Sequence, residues 1–183
     1  MRAESIKREV ARLKSKYKTS DAEELCEAMG IRVSRQPMGC HAGSCKGFFL
    51  IHSRCKIAVV NSELEDLVQR VILAHELAHG VLHVDSKIRT FHELSYLDDR
   101  DFMEREANIF AAEFLVDDTD LFDTLQSHTD FFSVASSLNV PPELLDFKFR
   151  LMKWKGYKLI EPPINARSNF LRDIDIPVET DYS

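Results

Sequence analysis

The chain has 183 residues, 44% of them hydrophobic and 30% charged. That balance belongs to a folded protein with a sizeable core and excludes a disordered or fibrous chain. A net charge of −6 gives no global attraction to nucleic acid or an anionic membrane surface, and apolar runs such as GFFLI and RVILA are far too short to cross a bilayer.

The first residues, MRAESIKREVARLKSKY, mix acids and bases around no apolar centre, which is not the make-up of a secretory signal. Four cysteines (Cys26, Cys40, Cys45 and Cys55) are too sparse for a secreted disulfide scaffold. The expected compartment is the cytoplasm, with the cysteines as thiols.

Residues 3–18 read as a helix, with Ile6, Val10, Leu13 and Tyr17 on one face. SDAE opens a second, with Ser20 as its cap and Glu23 reaching back, and Gly30 ends it. IRVSR is a short strand, QPMGCHAGSCK a loop, and GFFLIHSRCKIAVVN a β-hairpin turning at HSRC. SELE at 62–65 forms another capping box, with Ser62 as the cap, before a helix carrying Leu64, Leu67, Val68, Val71 and Ile72. VDSKIRTFHELSYLDDRD has no period and is expected to be an irregular connection. DFMEREANIFAAEFL is a strong helix, residues 101–115, and two short helices follow, broken at NVPP. The last stretch, from EPPINARS onward, is polar and expected to be loosely held.

Within VILAHELAHGVLH lies His75-Glu76-Leu77-Ala78-His79. Helical residues four apart share a face, so both imidazoles can reach one metal ion. A catalytic zinc takes three protein ligands and leaves one position for water, whose pKa falls towards ~7. Glu76, beside the first histidine, is placed to take that water's proton. Chance alone produces HExxH in roughly 2% of chains of this composition, so the pattern carries weight. His83 continues the spacing, but three residues at i, i+4 and i+8 span about 12 Å along the axis, too far for one ion. It reads as a packing residue or as a support to a ligand, near the substrate only if the helix breaks at Gly80.

The third ligand should come from MEREANIFAAEFL, which offers Glu104, Glu106 and Glu113. Glu104 shares a face with Ala107, Asn108 and Ala111, small residues that permit close approach to the histidine helix. Glu106 points about 200° away, so the two cannot both face the metal. Glu104 is preferred and Glu106 is the alternative; Glu113 reads as a surface acid. Asn108, one turn after Glu104, can hydrogen-bond a ligating histidine.

With its HExxH stretch, its EREANIFAAEFL (ExxAN-x-FAA) and the hairpin before them, the chain resembles the ImmA/IrrE family of metallopeptidases over roughly residues 20–117. The resemblance implies zinc held by His75, His79 and Glu104, with Glu76 as general base. It implies an α+β fold: a small antiparallel sheet of about three strands, packed on helices that carry a zincin-like HExxH site, with a C-terminal helical pair. The expected division is a metallopeptidase-like domain with N-terminal helices at 1–125, the helical pair at 126–160 and a polar tail at 161–183. It further implies an anti-repressor of bacteria or mobile elements, acting on a helix-turn-helix repressor. The family's usual Leu-Met-Pro after the second motif is here FLVDD.

Cys40, His41, Cys45, His52 and Cys55 cluster in sequence, but their spacing matches no zinc pattern, and free thiols are the simpler account. SVASSLNVPPELLDFKFRLMKW has a helix-turn-helix rhythm, yet the acidic balance and the lack of a basic stripe favour a structural pair over nucleic-acid contact. Tyr96, His92 and His83 are candidates to stabilise an oxyanion. The functional expectation is a zinc endopeptidase with a specific protein partner and no membrane or nucleic-acid contact. Its alternative is a non-cleaving module that sequesters or remodels a repressor. A purely structural zinc is the weaker reading, because such sites usually take four protein ligands, often cysteines, and no cysteine lies in either motif.

Overall fold

The computed structural model describes residues 3–41, 43–83, 99–128, 130–159 and 162–164. Residues 84–98 of the expected irregular connection, Tyr96 and His92 among them, and most of the polar tail lie outside them, while residues 99–101 of that connection are helical.

The first helix, α1 (Ala3–Tyr17), buries Ile6, Val10 and Leu13, and α2 (Ala22–Ala28) follows. The cap of α2 is Asp21 rather than Ser20: its Oδ1 accepts from the amides of Glu23 and Glu24 at 2.8 and 2.9 Å. A carboxylate accepts these amides with charge assistance and also suits the positive end of the helix, so it outcompetes the serine one residue earlier.

Three strands follow: β1 (Ile31–Gln36), β2 (Gly47–His52) and β3 (Cys55–Asn61). The hairpin forms as expected, β2 antiparallel to β3, and turns at Ser53 and Arg54 with φ of 48° and 69°. The sheet is mixed, however, not antiparallel. Its order is β1-β3-β2, and β1 runs parallel to β3 from Ile31↔Lys56 to Gln36↔Asn61. β3 carries the most buried residues and takes the centre, so residues 37–46 must carry the chain over its end into β2. Asn61 holds that crossing together. Its Nδ2 donates to the carbonyls of Gly39 and Cys45 at 2.8 and 3.1 Å, and its Oδ1 accepts from Met38 and Glu63.

The same bonds displace the expected cap at Ser62. The Ser62 amide donates to Gln36 O and the Glu63 amide to Asn61, so the chain stays in a turn and α3 (Asp66–Leu82) begins later. Every residue from Val71 to Gly80 is buried, making α3 the central helix. It packs on the sheet, on α2 and on α4 (Asp99–Leu115). It runs through Gly80, where a Cβ would lie 2.7 Å from two ring atoms of Phe49, so only glycine lets α3 press this close to β2.

After Leu115 a further helix forms that the sequence reading did not assign: α5 (Asp118–Ser127), capped by Asp117, which accepts from the Thr119 amide. The FLVDD departure is therefore a helix stop followed at once by a new cap. The helical pair is α6 (Phe131–Ser137) and α7 (Pro142–Trp154), with Pro142 at the first helical position of α7. One continuous core joins buried residues of helices α1 to α7 to the sheet.

Glu113 is not a surface acid. It is buried and accepts from Lys148 at 2.9 Å and Lys155 at 2.6 Å. Lys148, fully buried, also meets Asp118 at 2.6 Å, which in turn meets Lys7. This charge cluster ties α1, α4, α5 and α7 together. Among the described residues no helix is long and apolar enough to cross a membrane.

Candidate metal centre

The 3.6-residue repeat of α3 sets His75 and His79 one turn apart on the side that faces α4. Ala107, Ala111 and Ala112 are fully buried along α4, so it approaches α3 closely enough for Glu104 to reach both imidazoles. Nε2 of His75 is 3.1 Å from Nε2 of His79 and 3.3 Å from Glu104 Oε2; Nε2 of His79 is 3.7 Å from Glu104 Oε1. Among the described residues this is the one cluster of three or more metal-ligating side chains.

These atoms fit a metal. Ligands placed tetrahedrally 2.0–2.1 Å from zinc stand about 3.3–3.4 Å apart, and the observed separations bracket that value. The far ring nitrogens point the same way. His75 Nδ1 is 2.9 Å from Asn108 Oδ1, an acceptor, which puts the His75 proton on Nδ1 and leaves Nε2 with its lone pair available to a metal. His79 Nδ1 is 3.0 Å from Nδ1 of His83, whose Nε2 lies 3.2 Å from Glu106 Oε2.

Glu106, on α4 like Glu104, thus meets His83 and not the ligand cluster. His83 is buried beside His79 at the end of α3, the supporting position. Glu113 and its lysines are remote from the histidines in the contacts they make.

Electrostatics agree with a cation site. Burial works against charge on His75, but Glu104, Glu76 and Asn108 outweigh it and raise its pKa. Burial, with His75 adding to it, holds His79 well below the ordinary histidine range. Opposite shifts are what two imidazoles facing each other at 3.1 Å require, because the gap holds a single proton. A bound metal ion would take the place of that proton. Burial pushes Glu76 up to about 8, with His75 opposing and Glu104 adding. A divalent cation alongside favours its anion. Glu76 lies against the start of β2: a Cβ on Gly47 would be 3.3 Å from its Oε1 and 2.4 Å from Ile72 Cγ2. Sequence reading missed Gly47, whose only signal was a glycine opening a strand.

The four cysteines are thiols, not disulfides, and Cys26 is inert, its thiol pushed up to about 12 by burial and the nearby Glu23 and Asp21.

A small sheet packed on a histidine helix, with a glutamate from the next helix completing the cluster, is a metallopeptidase-like arrangement. A peptidase-family model described as the IrrE N-terminal-like domain matches residues 26–150, and the chain belongs to that family. It is 34% identical over 143 residues to "Uncharacterized immunity region protein 2" of Bacillus phage phi105, covering 78% of this chain and 88% of that one. It is 26% identical over 154 residues to "Metallopeptidase ImmA" of Bacillus subtilis (strain 168), covering 80% and 85%. The expected family is borne out.

Proposed function

We propose that the protein is a zinc-dependent endopeptidase that cleaves a specific protein, a helix-turn-helix transcriptional repressor, and so acts as a cytoplasmic anti-repressor. The observation that carries the enzymatic part is the cluster of buried His75 and His79 with the half-buried Glu104, and the buried Glu76 beside His75. The repressor as substrate is supported by the resemblance to the ImmA/IrrE family and by the immunity-region name of the phage relative.

His75, His79 and Glu104 would hold the ion, with Asn108 orienting His75. The metal supplies Lewis acidity, polarising water and the scissile carbonyl. Glu76 takes the proton of the attacking water on its carboxylate, holds it in a buried site, and delivers it to the amide nitrogen that leaves. Burial against the β2 backbone keeps that carboxylate in place and excludes bulk water from it.

Incubation of the zinc-loaded protein with its candidate repressor, read by intact-mass spectrometry, is expected to give two fragments whose masses sum to repressor plus water. Chelation should abolish them. An uncut repressor that is nonetheless displaced from its operator would favour the non-cleaving module, to which Glu76 would be superfluous.

A further inference from the structure

Behind His79 stands a chain of two buried side chains, His83 and Glu106, that the ligand set does not use. His79 Nδ1 faces His83 Nδ1 at 3.0 Å, and His83 Nε2 faces Glu106 Oε2 at 3.2 Å. All three residues are at most 6% exposed, so solvent does not set their protons. His75 has a different support, the neutral amide of Asn108.

With both imidazoles neutral, the proton bookkeeping of this chain has two solutions. One proton fits between the facing Nδ1 atoms. If it belongs to His83, a neutral His79 must carry its own proton on Nε2, the atom that points at His75 and Glu104, and a metal is shut out. If it belongs to His79, Nε2 of His79 is bare; His83 then accepts at Nδ1 and carries its proton on Nε2, aimed at Glu106. A carboxylate accepts hydrogen bonds and donates none, so it selects the second solution.

We infer that Glu106, acting through His83, is a positioning residue that fixes the tautomer of His79 and leaves its Nε2 open to the metal. The inference rests on the zinc reading given above and adds to it a two-residue support reaching from α4 back to α3. A glutamine at 106 is permissive where the glutamate is directive, because it can donate as readily as accept and so allows the metal-excluding tautomer. The pairing also explains why the third histidine of HELAHGVLH and the second glutamate of MEREAN sit where they do, without either entering the ligand set.

The test is the zinc dissociation constant of the full chain, by competition with a chromophoric chelator, for wild type, His83→Ala and Glu106→Gln. His83→Ala should bind zinc 10–100-fold more weakly and Glu106→Gln about 10-fold more weakly. Melting temperatures of the metal-free proteins control for structure: a merely structural pair would lower these and leave zinc affinity unchanged. Long-range proton–nitrogen NMR on zinc-loaded wild type needs no variant to fold, and should show His79 protonated at Nδ1 and His83 at Nε2. Unchanged affinity in Glu106→Gln, or His83 protonated at Nδ1, overturns the inference while wild-type zinc binding leaves the site reading intact. A wild type that binds no zinc overturns both.

Discussion

Glu76→Gln is expected to slow cleavage 10²–10⁴-fold, the usual contribution of a positioned general base, while the protein keeps its full complement of zinc. Glutamine fills the same space and does not ligate in this arrangement, so His75, His79 and Glu104 remain as they are. What is lost is the proton acceptor. The fold should not suffer. Burial pushes the Glu76 carboxyl up to about 8, which means that its anion is disfavoured where it stands. Replacing it by a neutral amide removes that burden, so the metal-free variant should melt at the same temperature as wild type or higher, as is common where a site trades stability for activity. Rate, zinc content and melting temperature measured on one preparation separate these effects. A rate within tenfold of wild type would remove Glu76 as the base.

Lys148→Met should destabilise the fold by about 3 kcal/mol, the low end of the cost of removing one partner from a buried ion pair. The lower end applies because Glu113 keeps Lys155 and Asp118 keeps Lys7. The loss should also depend on pH. Burial works to raise the Asp118 pKa, but its bonds to Lys148 and Lys7 prevail and bring it from 3.8 down to about 2. A depressed carboxyl stabilises the fold above its unfolded value and loses that contribution as pH falls through the folded one. The gap between wild type and variant should therefore be full at pH 7 and narrow between about pH 4 and 2. Urea titrations across that range measure it. A gap that stays constant, or one below about 1 kcal/mol at pH 7, would mean the cluster contributes no more than surface pairs do.

Local spacing made the histidine pair legible, because i and i+4 on one helix are neighbours whatever else the chain does. The choice between Glu104 and Glu106 was not local. It depends on how α4 crosses α3, and the small faces at Ala107 and Ala111 were the available hint of that approach. Glu113 was misread because a helix-end acid looks the same whether it meets water or two lysines that come from α7 and its C-terminal cap, far along the chain. Strand existence was legible from the apolar runs around Ser53 and Arg54, but the direction of β1 was not, since parallel and antiparallel neighbours carry the same alternation. The two cap errors share one cause. Ser20 and Ser62 are sound caps by type, and each lost to a competitor: the Asp21 carboxylate in one case, and in the other Gln36 and Asn61, which take the Ser62 and Glu63 amides. The helix α5 was legible in principle, in Asp117 followed by Leu121 and Leu125, but the acidic run disguised it.

The most direct measurement is the zinc content of the purified protein by plasma mass spectrometry, wild type beside Glu104→Ala. The geometry predicts one zinc per chain in wild type, and its loss or sharp weakening in the variant, with both proteins folded. No zinc in wild type after reconstitution, or equal zinc in Glu104→Ala, would contradict the three-ligand centre on which the peptidase reading stands.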